Sequence, residues 1–277
     1  MDAKEATRRA RIGFVGGGNM AEALVRGIVA SGVAAPHDLY VSEPRQERSR
    51  ELSEAYGVGS CEDNGALAEQ CEIVVLAVKP AVVPTVLRAM RDRLDPEALV
   101  VSICAGVRTG DIEAELGDGA RVVRAMPNTA AMALAGATAI AAGAMAKDDD
   151  LQFVKRLFEA VGCCVVVPET LLDAVTGLSG SGPAYVMLVI EALADGGVQA
   201  GLTRDVAQLL AAQTVYGAAK LQRDTGESPA RLRDRVSSPG GTTIAGLAEL
   251  EARGVRGAFV AAVQAATDRS NELGRNS

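Results

Sequence analysis

Apolar residues change their spacing along this chain near Pro168. Before it, short apolar runs alternate with amphipathic stretches. Residues 12–15, 38–42, 58–60, 73–78, 99–103, 121–124, 137–142 and 163–167 read as strands. Helical periodicity fills the intervals, ending near Val33 in the first and covering 45–56, 82–94, 109–116 and 151–161 in others. The run Ile73-Val74-Val75-Leu76-Ala77-Val78 is apolar throughout, as expected of a strand buried on both faces of a parallel sheet. Such alternation predicts an α/β domain with a doubly wound sheet over residues 1–168. Beyond Pro168 only helical patterns follow, at 169–176, 183–196, 204–225, 229–236, 243–253 and 255–273. Pro183 and Pro229 stand where first-turn prolines belong. Residues 169–277 are therefore predicted to be an all-α, Ala-rich domain, too apolar to stand alone and expected to form a subunit interface. Its most apolar stretch, 183–193, carries Glu191 and reads as too short to span a bilayer.

The first strand runs into Gly16-Gly17-Gly18-Asn19-Met20-Ala21 and then a helix. Gly-x-Gly-x-x-Ala between strand and helix is a dinucleotide-binding fingerprint. Gly16 makes the turn, Gly18 admits a pyrophosphate, and Ala21 keeps the helix close to the strand. The first-turn N–H groups and the positive end of the helix dipole face the phosphates. Glu43, at the tip of the second strand, is placed to accept from an adenosine ribose hydroxyl, which favours NADH; Arg45 and Arg48 follow and could hold the 2′-phosphate of NADPH. The nucleotide is thus NADPH or NADH. Asn64 opens the next helix, and Ala77, Val78, Lys79 and Pro80, at the carboxyl end of a buried strand, are predicted to line the cofactor.

Charge and cysteine content remove other functions. A net charge of -7, with no Lys/Arg tract, argues against nucleic acid or an anionic membrane as partner. Five Cys without a Cys-x-x-Cys spacing and a single His offer no zinc set, so no metal site is predicted. The cysteines read as small buried hydrophobes in a reducing compartment. Residues 1–10 are polar, without the apolar core of a secretory signal, and a cytoplasmic protein is expected.

In the helical half, Gly177–Pro183 and Ser237–Thr243 read as glycine-rich loops opening helices. Such loops present several N–H and O–H donors to one anion, and with the phosphates already housed, a substrate carboxylate is the expected ligand.

Together these stretches resemble the pyrroline-5-carboxylate reductases. The matching segments are residues 12–20, Ala77-Val78-Lys79-Pro80, residues 102–107, Arg124-Ala125-Met126-Pro127-Asn128-Thr129, residues 173–185 and residues 236–244. The resemblance implies a Rossmann-type nucleotide-binding domain followed by a helical dimerisation domain, with a decamer of dimers as one further assembly. It implies reduction of 1-pyrroline-5-carboxylate to L-proline, the last step of proline biosynthesis. It implies cofactor contacts at Val15, Gly16, Gly17, Gly18, Asn19, Met20, Glu43, Asn64, Ala77, Val78, Lys79, Pro80, Ala105 and Gly106. It also implies a substrate site made by Ser237, Ser238, Gly240, Gly241, Thr242 and Thr243 with Glu169 nearby, the Thr243 hydroxyl lying near the substrate nitrogen. Where many members carry a small or basic residue, this chain has Glu43, which puts strict NADPH use in doubt. A 3-hydroxyacid dehydrogenase would place a Lys on the first long helix of the second domain, and residues 177–197 contain no Lys or His.

Overall fold

A computed structural model describes residues 10–275; the polar stretch weighed above as a signal lies, up to residue 9, outside the described residues. One sheet contains β1 (Ile12–Val15), β2 (Leu39–Ser42), β3 (Gly59–Ser60), β4 (Ile73–Leu76), β5 (Leu99–Ser102), β6 (Arg121–Met126), β7 (Gly136–Ala142) and β8 (Gly162–Val166). Its strand order is β3-β2-β1-β4-β5-β6-β7-β8. Helices α1 (Asn19–Ser31), α2 (Gln46–Tyr56), α3 (Asn64–Gln70), α4 (Val83–Met90), α5 (Thr109–Leu116) and α6 (Asp148–Glu159) cover its faces. The apolar character of β4 has its cause in this sandwich. Ile73 and Val75 join one core with Phe14, Leu24, Ile28 and Phe158, while Val74 and Leu76 join the other with Leu67, Leu87, Met90 and Ile112.

Neighbouring strands are parallel except β6 and β7, which pair antiparallel with Ala125 opposite Ile140. A parallel return needs a crossover of a dozen or more residues, and between Met126 and Gly136 there is room only for the 3-10 turn Thr129–Ala133. β7 and β8 then approach closely because two glycines face each other, Gly136 opposite Gly162. At α1, a Cβ on Gly27 would stand 2.8 Å from the Ala160 carbonyl oxygen, so glycine lets that helix lie against the turn into β8.

Two helices start elsewhere than their periodicity predicts. α4 begins only at Val83, because Pro80–Val82 form a 3-10 turn. α6 begins at Asp148, where Asp148, Asp149 and Asp150 sit favourably on the positive end of the helix.

The rest is helical: α7 (Leu172–Val175), α8 (Gly182–Gln199), α9 (Arg204–Thr225), α10 (Pro229–Arg235), α11 (Thr242–Ala252) and α12 (Val255–Arg275). The described residues separate into two compact units, one of residues up to Gly180 together with Ala266 onward, the other Ser181–Ala265. Strands end where the sequence predicts, before Pro168, and the compact units divide later, at Gly180.

The expected loop at Gly177 is instead a π-helical turn, Thr176–Gly180. Its backbone N–H groups serve the helix and do not form an anion cradle. The Thr176 and Ser179 hydroxyls donate to the carbonyls four residues earlier, Leu172 at 2.8 Å and Val175 at 3.1 Å, reinforcing the turn. Helical turns therefore run from Glu169 to Gln199, 31 residues with mean hydropathy 1.2 in the most apolar window. That corrects the expectation of a stretch too short to span: by length and composition alone this segment is long enough. Only 11% of the window is buried. In the second unit Met187 is 64% exposed, Leu188 66% and Leu209 70%.

Candidate functional site

Strand ends decide where the site lies. Parallel strands collect ligands at their carboxyl ends, and β1, β2, β4 and β5 all end on the side where the glycine turn stands. The turn is built by backbone bonds that extend the strands: Gly16 N–H donates to the Ser42 carbonyl at 2.8 Å and Ala77 N–H to the Val15 carbonyl at 2.9 Å. Gly16 has φ +97, and a Cβ there would lie 2.6 Å from the Ala77 carbonyl oxygen. Both the left-handed backbone and the close approach demand glycine. Gly18 is different. It is the N-cap of α1 with no side-chain cap, and a Cβ added to it meets nothing within 4 Å.

That open space is bounded by N–H groups. The first backbone bond of α1 is Glu22 N–H to the Gly18 carbonyl at 3.0 Å, so the preceding N–H groups have no intrahelical acceptor. A space that glycine keeps clear, at the positive end of a 13-residue helix, fits a pyrophosphate.

Around this cradle the structure brings together the expected cofactor residues of the first unit. Val15 through Met20 form the turn. Asn64 is the first residue of α3, capped by Asp63, and its Oδ1 accepts from the Ser42 hydroxyl at 2.7 Å. Ala77 and Val78 continue β4, followed by exposed Lys79 and then Pro80. Ala105 and Gly106 follow β5, Gly106 at φ +78. Cys104 donates from its thiol to the Val78 carbonyl at 3.2 Å, tying the two loops together.

Glu43 holds the turn from outside. Its Oε2 accepts from Gly17 N–H at 2.9 Å, and its Oε1 accepts from Arg45 Nε at 2.8 Å. Burial pushes the Glu43 carboxyl up, but hydrogen bonds from the Arg45 guanidinium and the Gly17 and Arg45 N–H groups outweigh it and hold the group below its ordinary value. Arg48 donates from Nε to the Gly17 carbonyl at 2.8 Å and pairs with Glu22 and Glu51.

Sequence reasoning missed the partners of Glu169. Its carboxylate accepts from Thr109 N–H at 2.8 Å, from the Thr109 hydroxyl at 2.7 Å and from Arg124 at 3.2 Å. Arg124 is 5% exposed. The signal was present as a charged residue inside the apolar run Val122-Val123-Arg124-Ala125; its partner, distant in sequence, was not. Asn128, in the segment Arg124–Thr129, is a second such residue. It donates to the Ser179 carbonyl at 2.9 Å and accepts from Ala137 N–H at 3.1 Å, pinning the π turn to the start of β7.

Ser237, Ser238, Gly240, Gly241, Thr242 and Thr243 lie in the second unit. Ser237 donates to the Arg233 carbonyl at 2.8 Å, closing α10. Gly240 takes φ +66 to turn the chain, and Gly241 is the N-cap of α11 without a side-chain cap. Thr243 is the second residue of that helix and half-buried.

Four of the cysteines, Cys61, Cys71, Cys104 and Cys164, are buried as expected, but Cys163 is exposed, because alternation along the edge strand β8 turns it to the opposite face from Cys164. Burial pushes the Cys71 and Cys164 thiols up to about 12. At pH 8 both are expected to resist a thiol reagent in the native protein and to react only after denaturation, which a thiol titration with and without denaturant checks.

Comparison with known proteins decides the family. A family model described as pyrroline-5-carboxylate reductase dimerisation matches residues 169–273, and one described as NADP oxidoreductase coenzyme F420-dependent matches residues 11–106. The pyrroline-5-carboxylate reductase of Synechocystis is 51% identical over 265 residues, covering 96% of this chain and 98% of that protein. The chain belongs to the pyrroline-5-carboxylate reductase family.

Solved structures agree. That of a pyrroline-5-carboxylate reductase from Coxiella burnetii superposes with TM-score 0.92 at 39% identity, covering 96% of this chain and 99% of that one. The Plasmodium falciparum pyrroline carboxylate reductase, solved with NADP bound, gives 0.84 at 31% identity over 96% and 98%. Membership gives this segment a role: residues 169–273 match the family's dimerisation model and serve self-association.

Proposed function

We infer that this chain reduces the cyclic imine of 1-pyrroline-5-carboxylate to L-proline, using NADPH or NADH, as the last step of proline biosynthesis. The observation that carries the reading is the open cradle at Gly18, beside Glu43 and at the strand ends, in a chain of this family.

Residues 1–168 serve the cofactor, and residues 169–277 serve substrate and dimerisation, with a decamer of dimers as a further assembly. The protein works in the cytoplasm, without nucleic acid or membrane as partner. Its cofactor contacts are Val15–Met20, Glu43, Asn64, Ala77–Pro80, Ala105 and Gly106.

The chemistry asks for little from the protein. A protonated ring imine is already an electrophile, so no nucleophile is needed, and positioning supplies most of the rate. The bound nicotinamide supplies the hydride. The substrate carboxylate is received at the start of α11: Ser237 and Gly241 shape the turn, their N–H groups bonded to the Asp234 and Ser238 carbonyls, and Ser238, Gly240 and Thr242 offer the hydroxyl and N–H donors. The Thr243 hydroxyl hydrogen-bonds the ring nitrogen and orients it. Glu169 is assigned to substrate by family resemblance; within its own unit Thr109 and Arg124 hold its carboxylate in one orientation.

Oxidation of NADPH and of NADH, followed in parallel with racemic pyrroline-5-carboxylate, tests the reaction. Turnover with either supports it; none with either, from protein that binds nucleotide, removes it. The cradle has its own test. Gly18→Ala places a methyl group in open space, so the melting temperature is expected to hold. Nucleotide affinity is expected to fall about tenfold as the pyrophosphate loses its approach to the backbone. Unchanged affinity would move the phosphates elsewhere.

A further inference from the structure

NADH and NADPH differ by one phosphate on the adenosine ribose, and the reading above accepts either. We propose that Glu43 excludes that phosphate, so that this chain binds NADH in preference to NADPH; the proposal rests on the dinucleotide site described above. Three observations carry it.

First, the carboxylate is fixed in place. The Glu43 side chain is 7% exposed and is held by Gly17 N–H at 2.9 Å, Arg45 N–H at 3.2 Å and Arg45 Nε at 2.8 Å. It cannot swing away to make room. A carboxylate oxygen keeps further acceptor capacity for a ribose hydroxyl and has no donor to offer a phosphate. A dianion placed within hydrogen-bonding distance of it would be repelled across a partly desolvated gap.

Second, the arginine best placed to compensate is already committed. Arg48 donates to the Gly17 carbonyl at 2.8 Å, to Glu51 at 3.0 Å and to Glu22, and its side chain is 18% exposed. Glu22 in turn accepts from the Tyr56 hydroxyl at 2.9 Å. Arg48 is a strut between the glycine turn, α1 and α2.

Third, Arg45 is accessible, at 69% exposure, but its Nε serves Glu43. Turning it toward a phosphate would leave the Glu43 carboxylate without its counter-charge, facing the same phosphate. Neither arginine can hold the 2′-phosphate without a loss that NADH does not incur.

The test is equilibrium binding of NADH and NADPH by isothermal titration calorimetry, without pyrroline, to the wild type and to Glu43→Ser. The wild type is expected to bind NADH at least about tenfold more tightly, and Glu43→Ser to bring the two affinities level or reverse them. Because Glu43 also holds Gly17, both affinities fall in the variant and the ratio is the readout; its melting temperature without nucleotide checks that it folds. Arg45→Ala, a second variant, is expected to keep the NADH preference. Equal or tighter binding of NADPH by the wild type, or a ratio unmoved by Glu43→Ser, would overturn the proposal. Binding of neither nucleotide would overturn the dinucleotide site itself, an outcome distinct from a ratio near one.

Discussion

Thr243→Ala is expected to lower turnover about ten- to a hundredfold while nucleotide affinity stays within about twofold of wild type, roughly 1.5–3 kcal/mol for one hydrogen bond to a partly charged group. The argument is one of position. Thr243 is the second residue of α11, in a first turn that no side chain caps, so a ligand can take the donors there. Alanine is a good helix former at that position, and the helix should persist. What is lost is the hydroxyl that orients the ring nitrogen against the hydride. Because the hydroxyl orients and does not transfer a proton, Thr243→Ser should restore most of the rate. Steady-state kinetics with saturating nucleotide decide: unchanged turnover in the alanine variant takes Thr243 out of the mechanism.

The second large effect is on folding. Gly162→Ala is expected to destabilise the protein by roughly 3 kcal/mol or more, because the added methyl has nowhere to go. At φ +155 a Cβ on Gly162 would fall inside contact with the Gly136 carbonyl oxygen and 2.6 Å from its carbon. These are backbone atoms of the paired strand, and they cannot turn aside as a side chain does. Relief means separating β8 from β7, which also strains the bond from Gly136 N–H to the Val161 carbonyl at 2.8 Å. Gly110→Ala is the control, since a Cβ there meets nothing within 4 Å in the first turn of α5. Urea unfolding of both variants reads the difference. Equal midpoints would mean that β7 and β8 do not meet as described.

Much of the site was legible in the chain because its signals are local. Gly16 and Gly18 differ in role, one a turn and one a clearance, and both roles follow from spacing between a strand and a helix. Glu43 announced itself by following the second strand. The antiparallel β7 was not legible: apolar periodicity marks a strand and its buried faces but carries no sign of its direction, which was set by a connection too short to cross over. Nor was the π turn at Thr176–Gly180, since glycine and serine there read equally well as loop. Glu169 could be named from family resemblance, yet its grip by Thr109 and Arg124 joins residues far apart along the chain.

By itself, then, the order of residues determined the alternation of strands and helices, the double-sided burial of β4, the glycine turn and the change to helices after Pro168, because each depends on neighbours within a turn or a strand. Tertiary structure alone decided what each arginine pairs with. Arg45 and Arg48 look alike in sequence, and only the meeting of α1, α2 and the glycine turn commits Arg48 to Gly17 and Glu22 while leaving Arg45 on Glu43. Charge can be counted along a chain, but its pairing is a matter of distance in space.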